Sequence, residues 1–288
     1  MQYEGIVYRP PSEAYSLIIQ LTIGCAHNRC TFCSMYKGKK FRIRPLNDVI
    51  ADLEECRRHY GYVRRIFLAD GDALIVKTPD LLYILDKIKE IFPEVERVTM
   101  YAAPRDILNK SSEDLQALHK AGLDMVYVGA ESGDDQILTD IKKGVTAAQI
   151  IEAGQKVRAA GIRISMTLIS GLGGRKRLKE HAVASAQLIS AIKPEYVGFL
   201  TLMVEPGTEL YDQVGRGEFD LITPHEVLEE MKLFLTHVDS EGTVFRANHA
   251  SNYVNLAGDL NIDKPMLLRR IMEAEKHRDY KPENWRAL

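Results

Sequence analysis

Residues 16–33 read SLIIQLTIGCAHNRCTFC, an apolar run followed by a glycine and three closely spaced cysteines, Cys25, Cys30 and Cys33. The run Ser16–Ile23 is nearly continuously apolar, which suits a parallel strand buried on both faces. Gly24 lets the chain turn sharply out of that strand. In α/β folds, ligands sit at the carboxyl ends of strands. The three thiols therefore stand where an active site belongs.

Working outward, five more runs share this character: Val63–Ala69, Arg97–Ala102, Asp124–Gly129, Ile162–Ile169 and Tyr196–Val204. Amphipathic segments separate them. Pro45–Tyr60 places Leu46, Val49, Ile50, Leu53 and Cys56 at helical spacing. Thr78 precedes Pro79, and Ser112 opens a segment that ends at Gly122, so both are expected to cap helices. Thr146 with Gln149, and Thr223 with Glu226, fit capping boxes. A further helix spans Leu178–Ile192. The series is βαβ with right-handed crossovers. A doubly wound sheet and a barrel both accommodate it, and six units give an incomplete barrel.

From residue 216 the alternation lapses. A helix (Pro224–Val238), a short strand (Thr243–Ala247), a polar loop (Asn248–Asp259) and a last helix (Lys264–Lys276) are expected there. The division is thus a barrel over 1–215 and an α/β extension over 216–288 that caps the barrel mouth.

The chain has 288 residues, 45% hydrophobic and 27% charged, which is ordinary globular usage. Thirty-eight basic against 40 acidic residues give a net charge of -2, which weighs against binding nucleic acid by phosphate neutralisation. No apolar run approaches the roughly 20 residues of a bilayer span. The N-terminus lacks a signal-peptide pattern. A cytoplasmic location is expected, where clustered cysteines point to metal or redox chemistry rather than disulfides.

The cluster is C-x4-C-x2-C. Three thiolates on one loop suit three corners of a cubane iron–sulfur cluster, leaving the fourth iron open. A structural zinc site, and with it a non-enzymatic binding module, would need a fourth ligand. His27 is the one at hand, inside the same short loop. A single catalytic thiol would not need three cysteines.

Cys25, Cys30, Phe32 and Cys33 resemble the signature of the radical S-adenosylmethionine (SAM) superfamily. The common family spacing is C-x3-C-x2-C, with an aromatic residue before the last cysteine. This chain has one extra residue between the first two cysteines. The resemblance runs over about residues 15–211, and is nearest the branch with methylthiotransferases and oxygen-independent coproporphyrinogen oxidase. It implies a partial (β/α)6 TIM-like barrel, a [4Fe-4S] cluster on the three cysteines, SAM on the open iron, and a one-electron reductant such as flavodoxin or ferredoxin.

The resemblance also assigns cofactor contacts. Asp70-Gly71-Asp72 matches the glycine-rich turn facing the methionine amino group, although two acids on a loop are equally a solvated turn. Glu131-Ser132 matches the ribose-binding segment. A nearby Lys or Arg would be the structural alternative partner for Glu131. Lys143 matches the contact to the methionine carboxylate, or is a plain exposed lysine. Thr167 stands where relatives carry an acid facing the ribose. Leu202, within Leu200–Met203, is expected at the adenine or in the barrel core. Gly171-Leu-Gly-Gly174 and Pro206-Gly207-Thr208 match family turns.

Only Cys56 remains, and it falls on an apolar helix face. A second cubane cluster cannot be built from it, which argues against methylthiotransferase chemistry. The remaining options are direct radical reactions on a small polar molecule: fragmentation by a lyase, rearrangement, epimerisation or decarboxylation. The substrate contacts expected at the barrel mouth are Tyr101, Arg105, Arg246, Asn248, His249, Asn252 and Tyr253. The alternative for the RANHASNY stretch is a surface loop. A single-cluster barrel with this looser spacing is similar to the queuine lyases. A porphyrin-related substrate is the second expectation.

Overall fold

The computed structural model describes residues 3–287. Among the described residues ten strands form: β1 Leu17–Gln20, β2 Thr22–Ile23, β3 Arg42–Ile43, β4 Arg65–Ala69, β5 Arg97–Tyr101, β6 Leu123–Glu131, β7 Arg163–Ser170, β8 Tyr196–Thr201, β9 Val244–Ala247 and β10 Leu256–Asp259. The helices are α1 Leu46–His59, α2 Thr78–Ile91, α3 Pro104–Asn109, α4 Ser112–Lys120, α5 Asp135–Asp140, α6 Ala147–Ala159, α7 Leu178–Ile192, α8 Glu209–Gly215, α9 Pro224–His237 and α10 Lys264–His277.

The main sheet has the order β1-β4-β5-β6-β7-β8-β9-β10. Pairs β1/β4, β4/β5, β5/β6, β7/β8 and β8/β9 are parallel, and β9/β10 is antiparallel. The expected six-stranded α/β series is present. This is the mostly parallel sheet of a partial TIM-like barrel, extended by β9 and β10.

Several local expectations are corrected. The first run is two strands, because Leu21 divides its backbone between two sheets. Its N–H donates to the Ala69 carbonyl, while its own carbonyl accepts from Arg44 N at 2.9 Å. Beyond it, β2 pairs antiparallel with β3. The loop expected over Asn248–Asp259 contains β10, an edge strand too exposed to show a buried face. Ser111, not Ser112, caps α4, since its box partner Asp114 lies three residues on. Thr78 lies inside α2; Lys77 is the N-cap and makes no side-chain bond. Helices α3, α5 and α8 have six or seven residues, too short for a periodic signal. Both expected capping boxes, at Thr146/Gln149 and Thr223/Glu226, form.

The chain divides into two compact units. Unit 1 comprises residues 1–28, 35–128 and 155–164. Its core contains Ile19, Phe67, Leu81 and Phe92, with α1 packed on α2. Cys56 is buried there beside Val49 and Leu53, as its apolar spacing required. Unit 2 comprises residues 29–34, 129–154 and 165–288. Here α7 packs on α9, and Phe199 meets Phe234 edge-on with centroids 4.6 Å apart. Burying one such ring contributes about 1.5–3 kcal/mol.

Candidate active site

In unit 1 the turn after β1 and β2 is pinned from behind. Gly24 has φ +76°, a left-handed conformation that favours glycine. Its N–H donates to Asp70 Oδ2 at 3.0 Å. Lys39 Nζ donates to the same oxygen at 2.6 Å. Asp70 is fully buried, and its N–H donates to Thr22 Oγ1 at 3.2 Å. Asp70 thus fixes the residue before Cys25. Gly71 must lack a side chain, because a Cβ would lie 2.5 Å from the Tyr36 ring.

Asp72 is also fully buried, and among the described residues neither carboxyl oxygen makes a well-aligned hydrogen bond. Burial and the neighbouring Asp106 carboxylate push its pKa well above the usual carboxylate range. Asp72 therefore holds its proton to higher pH than an ordinary carboxyl does. Tyr101 ends β5 and packs its ring against Phe67 at 5.1 Å and Tyr127 at 6.2 Å. Burial raises its phenol. Arg105 is exposed.

Unit 2 holds Cys30 and Cys33. Between them Thr31 is buried, and its backbone is bound on both sides. Thr31 N donates to the Ile141 carbonyl at 3.0 Å, and its carbonyl accepts from Leu210 N at 3.0 Å. Leu210 is fixed in turn by α8, whose N-cap Thr208 accepts from Tyr211 N at 3.2 Å. The Pro-Gly-Thr turn therefore helps hold the cysteine segment. Phe32 is half-buried.

At the end of β6, Glu131 adopts φ +67° and its carboxylate binds Lys143 Nζ at 2.9 Å. Two residues expected to contact SAM separately are partners here. Gly129 makes this possible, since a Cβ there would lie 2.1 Å from Glu131 Oε1. Ser132 is fully buried; its hydroxyl meets His181 Nδ1 at 2.8 Å and accepts from Asp134 N at 3.0 Å. His181 Nε2 lies 3.0 Å from the Ile169 carbonyl, which only accepts, so Nε2 donates there. Thr167 is half-exposed on β7.

A cavity of about 390 Å3 opens at the ends of β7 and β8. Ser170, Gly171, Leu202 and Met203 line one side; Ile222, Tyr253 and Arg286 line another. Behind it Glu230 of α9 is fully buried. Its Oε1 accepts from Ser170 Oγ at 2.5 Å and from Gly171 N at 3.0 Å. Burial pushes the Glu230 carboxyl up. Asn252 is buried and spends its amide on Thr201 Oγ1 at 2.9 Å and the Phe199 carbonyl at 2.8 Å. His249 Nδ1 meets Ser251 Oγ at 2.9 Å, and burial followed by the Lys281 charge lowers its basicity. Arg246 and Asn248 are exposed.

Residues 19–188 match the family model described as the radical SAM superfamily. This chain belongs to that superfamily. Among its relatives is the 4'-phospho-dehydrooxetanocin synthase of Priestia megaterium, 26% identical over 219 residues, covering 69% of this chain and 29% of that protein. Its fold is similar to that of Escherichia coli coproporphyrinogen III oxidase, with TM-score 0.57 and 16% identity over 77% of this chain and 52% of that one. It is also similar to a radical SAM methyltransferase of Kitasatospora setae, with TM-score 0.56 and 21% identity over 70% of this chain and 39% of that one. The chain spans 29–58% of the length of three curated relatives it matches.

Membership of the radical SAM family brings the expected cofactors, a [4Fe-4S] cluster and SAM. The thiols suit the cluster by donor type. All three cysteines are half-exposed and none is in a disulfide. Among the described residues no three His, Cys, Asp or Glu stand grouped as a metal site, so the fit rests on donor chemistry and the anchoring of Gly24 and Thr31. No described helix is long and apolar enough to cross a membrane.

Sequence reasoning missed Thr31, Lys39, His181, Glu230 and Arg286. Thr31 acts through its backbone, and the other four act through partners distant in the chain, so no local spacing marks them.

Proposed function

We propose that this chain is a cytoplasmic radical SAM lyase acting on a small polar molecule, with Cys25, Cys30 and Cys33 as the cluster ligands. The observation that carries the reading is the C-x4-C-x2-C loop at a strand end, fixed at Gly24 by Asp70 and at Thr31 by Ile141 and Leu210. When bound, the reduced cluster and SAM supply a 5′-deoxyadenosyl radical that abstracts a substrate hydrogen.

The chain's own residues would position this pair. Glu131 is suited to accept from two ribose hydroxyls, and Lys143 to act as a point charge for the methionine carboxylate. Phe32 would flank the cluster, and Asp70, Gly71 and Asp72 would form the turn beside the amino group. Ser132 and Thr167 would border the ribose, and Leu202 the adenine in the cavity beside Gly171. That cavity lies within the 300–1,000 Å3 typical of small-molecule sites.

Residues 216–288 would cap the barrel mouth and choose the substrate. Tyr101, Arg105, Arg246, Asn248, His249 and Tyr253 are the contacts proposed, while Asn252, expected among them, is buried with its amide bound to Thr201 and Phe199 and would hold the loop instead. Their donors and acceptors suit a polar heterocycle, and the resemblance to the queuine lyases makes queuine the substrate proposed. The partners are this substrate and a flavodoxin- or ferredoxin-type reductant. Queuine deuterated at the abstracted position should pass label into 5′-deoxyadenosine as the aminomethyl base is released. Product formation without label transfer would exclude abstraction from that position; no product would exclude queuine.

A further inference from the structure

We propose that the C-terminal tail is a clasp on the nucleoside cavity, with Arg286 as a positioning residue for SAM. The inference rests on the reading that Leu202 and its neighbours face adenine.

Arg286 lies near the end of the chain, yet its side chain is only 5% exposed. Its Nε donates to the Ser251 carbonyl at 2.7 Å and its Nη2 to the Leu202 carbonyl at 3.0 Å. Its Nη1 donates to Tyr253 Oη at 2.6 Å and to Glu283 Oε2 at 2.7 Å. The guanidinium also stacks 4.1 Å from the Tyr253 ring centroid. Tyr253 Oη donates to the other Glu283 oxygen. One side chain therefore joins the exit of β8, the 251–253 loop and the tail.

Leu202 is the element this arrangement governs. Its N–H donates to the Ser170 carbonyl at 2.9 Å, so it bridges the ends of β7 and β8. Beyond it the chain leaves the sheet through Met203 and Val204, both cavity-lining. The 251–252 loop is tied to the same strand end, through Thr201 N to Ser251 Oγ at 3.2 Å and through the Asn252 amide. Without Arg286, the wall at Leu202–Val204 loses its fastening on the cavity side. A planar guanidinium fork holds several acceptors in one geometry, and a lysine ammonium on a flexible stem does not. The role follows from that fork: Arg286 spends its donors on the protein and sets the shape the nucleoside meets.

The test uses the reconstituted full-length protein and S-adenosylhomocysteine, which is not cleaved, in equilibrium dialysis. Arg286→Lys and Arg286→Met should each weaken binding at least tenfold with circular dichroism and cluster spectra unchanged. Leu202→Arg, which fills the cavity, should abolish binding. In the unaltered protein, S-adenosylhomocysteine should slow amide exchange across residues 281–287, a readout that needs no variant. Arg286 variants binding within twofold of the parent, or tail exchange unchanged by the ligand, would overturn the clasp while Leu202→Arg still abolishes binding. Retention of binding by Leu202→Arg would instead remove the nucleoside reading, and the clasp with it.

Discussion

Two acids end two strands, and each holds a lysine. Asp70 follows β4 and binds Lys39 at 2.6 Å; Glu131 ends β6 and binds Lys143 at 2.9 Å. In sequence they look alike. In the structure the Asp70 side chain is 0% exposed and also holds Gly24 N–H, whereas Glu131 is 12% exposed with nothing but its lysine at Oε1 among the bonds described. The first acid is built into the protein. On the function proposed above, the second would change partners when the nucleoside binds. Access, rather than residue type, is then what separates the two acids.

The largest expected effect breaks the first pair. Asp70→Ala leaves a largely buried lysine uncompensated and releases Gly24, at a cost of about 3–5 kcal/mol. Denaturant unfolding measures it. Glu131→Ala should cost less than half of that, yet weaken S-adenosylhomocysteine binding more than tenfold. Equal stability losses for the two would erase the distinction.

The glycines beside these acids sharpen it. A Cβ at Gly71 meets the Tyr36 ring, a rigid neighbour, so Gly71→Ala should destabilise by about 1–3 kcal/mol. A Cβ at Gly129 meets the movable end of Glu131, so Gly129→Ala should spare stability and weaken ligand binding. Thermal melts paired with dialysis separate the two outcomes.

A further effect, visible only as a pH dependence, concerns Asp72. Its pKa is shifted upward in the folded state, so its contribution is full below the unfolded value of about 4 and fades as pH rises to the folded value of about 8. Asp72→Asn should therefore gain stability relative to the parent between pH 4 and pH 9. A pH-independent difference in melting temperature would show that Asp72 does not titrate this way.

Much of this molecule is legible in its sequence. Six apolar runs and their helices place the sheet, because parallel strands buried on both faces leave a continuous apolar signature. The cysteine loop is legible because its ligands are neighbours in the chain. Glu131 is legible as an acid at a strand end that calls for a Lys or Arg partner, but nothing in the sequence pairs it with Lys143 in particular. Arg286 and Glu230 were not legible. They meet Leu202 and Gly171 across more than 50 residues of chain, and no periodicity encodes such a meeting. Nor was the split at Leu21, where one residue shares its backbone between two sheets while its apolar side chain continues the pattern.

The central claim is that the loop Cys25–Cys33 carries a cluster that cleaves SAM. Anaerobically reconstituted protein, loaded with about four irons per chain as a cubane requires, should yield 5′-deoxyadenosine when reduced in the presence of SAM. Replacing any one of Cys25, Cys30 or Cys33 by alanine should abolish that product. Colourless protein holding zinc, or a fully loaded protein that forms no 5′-deoxyadenosine with or without candidate substrates, would contradict the account.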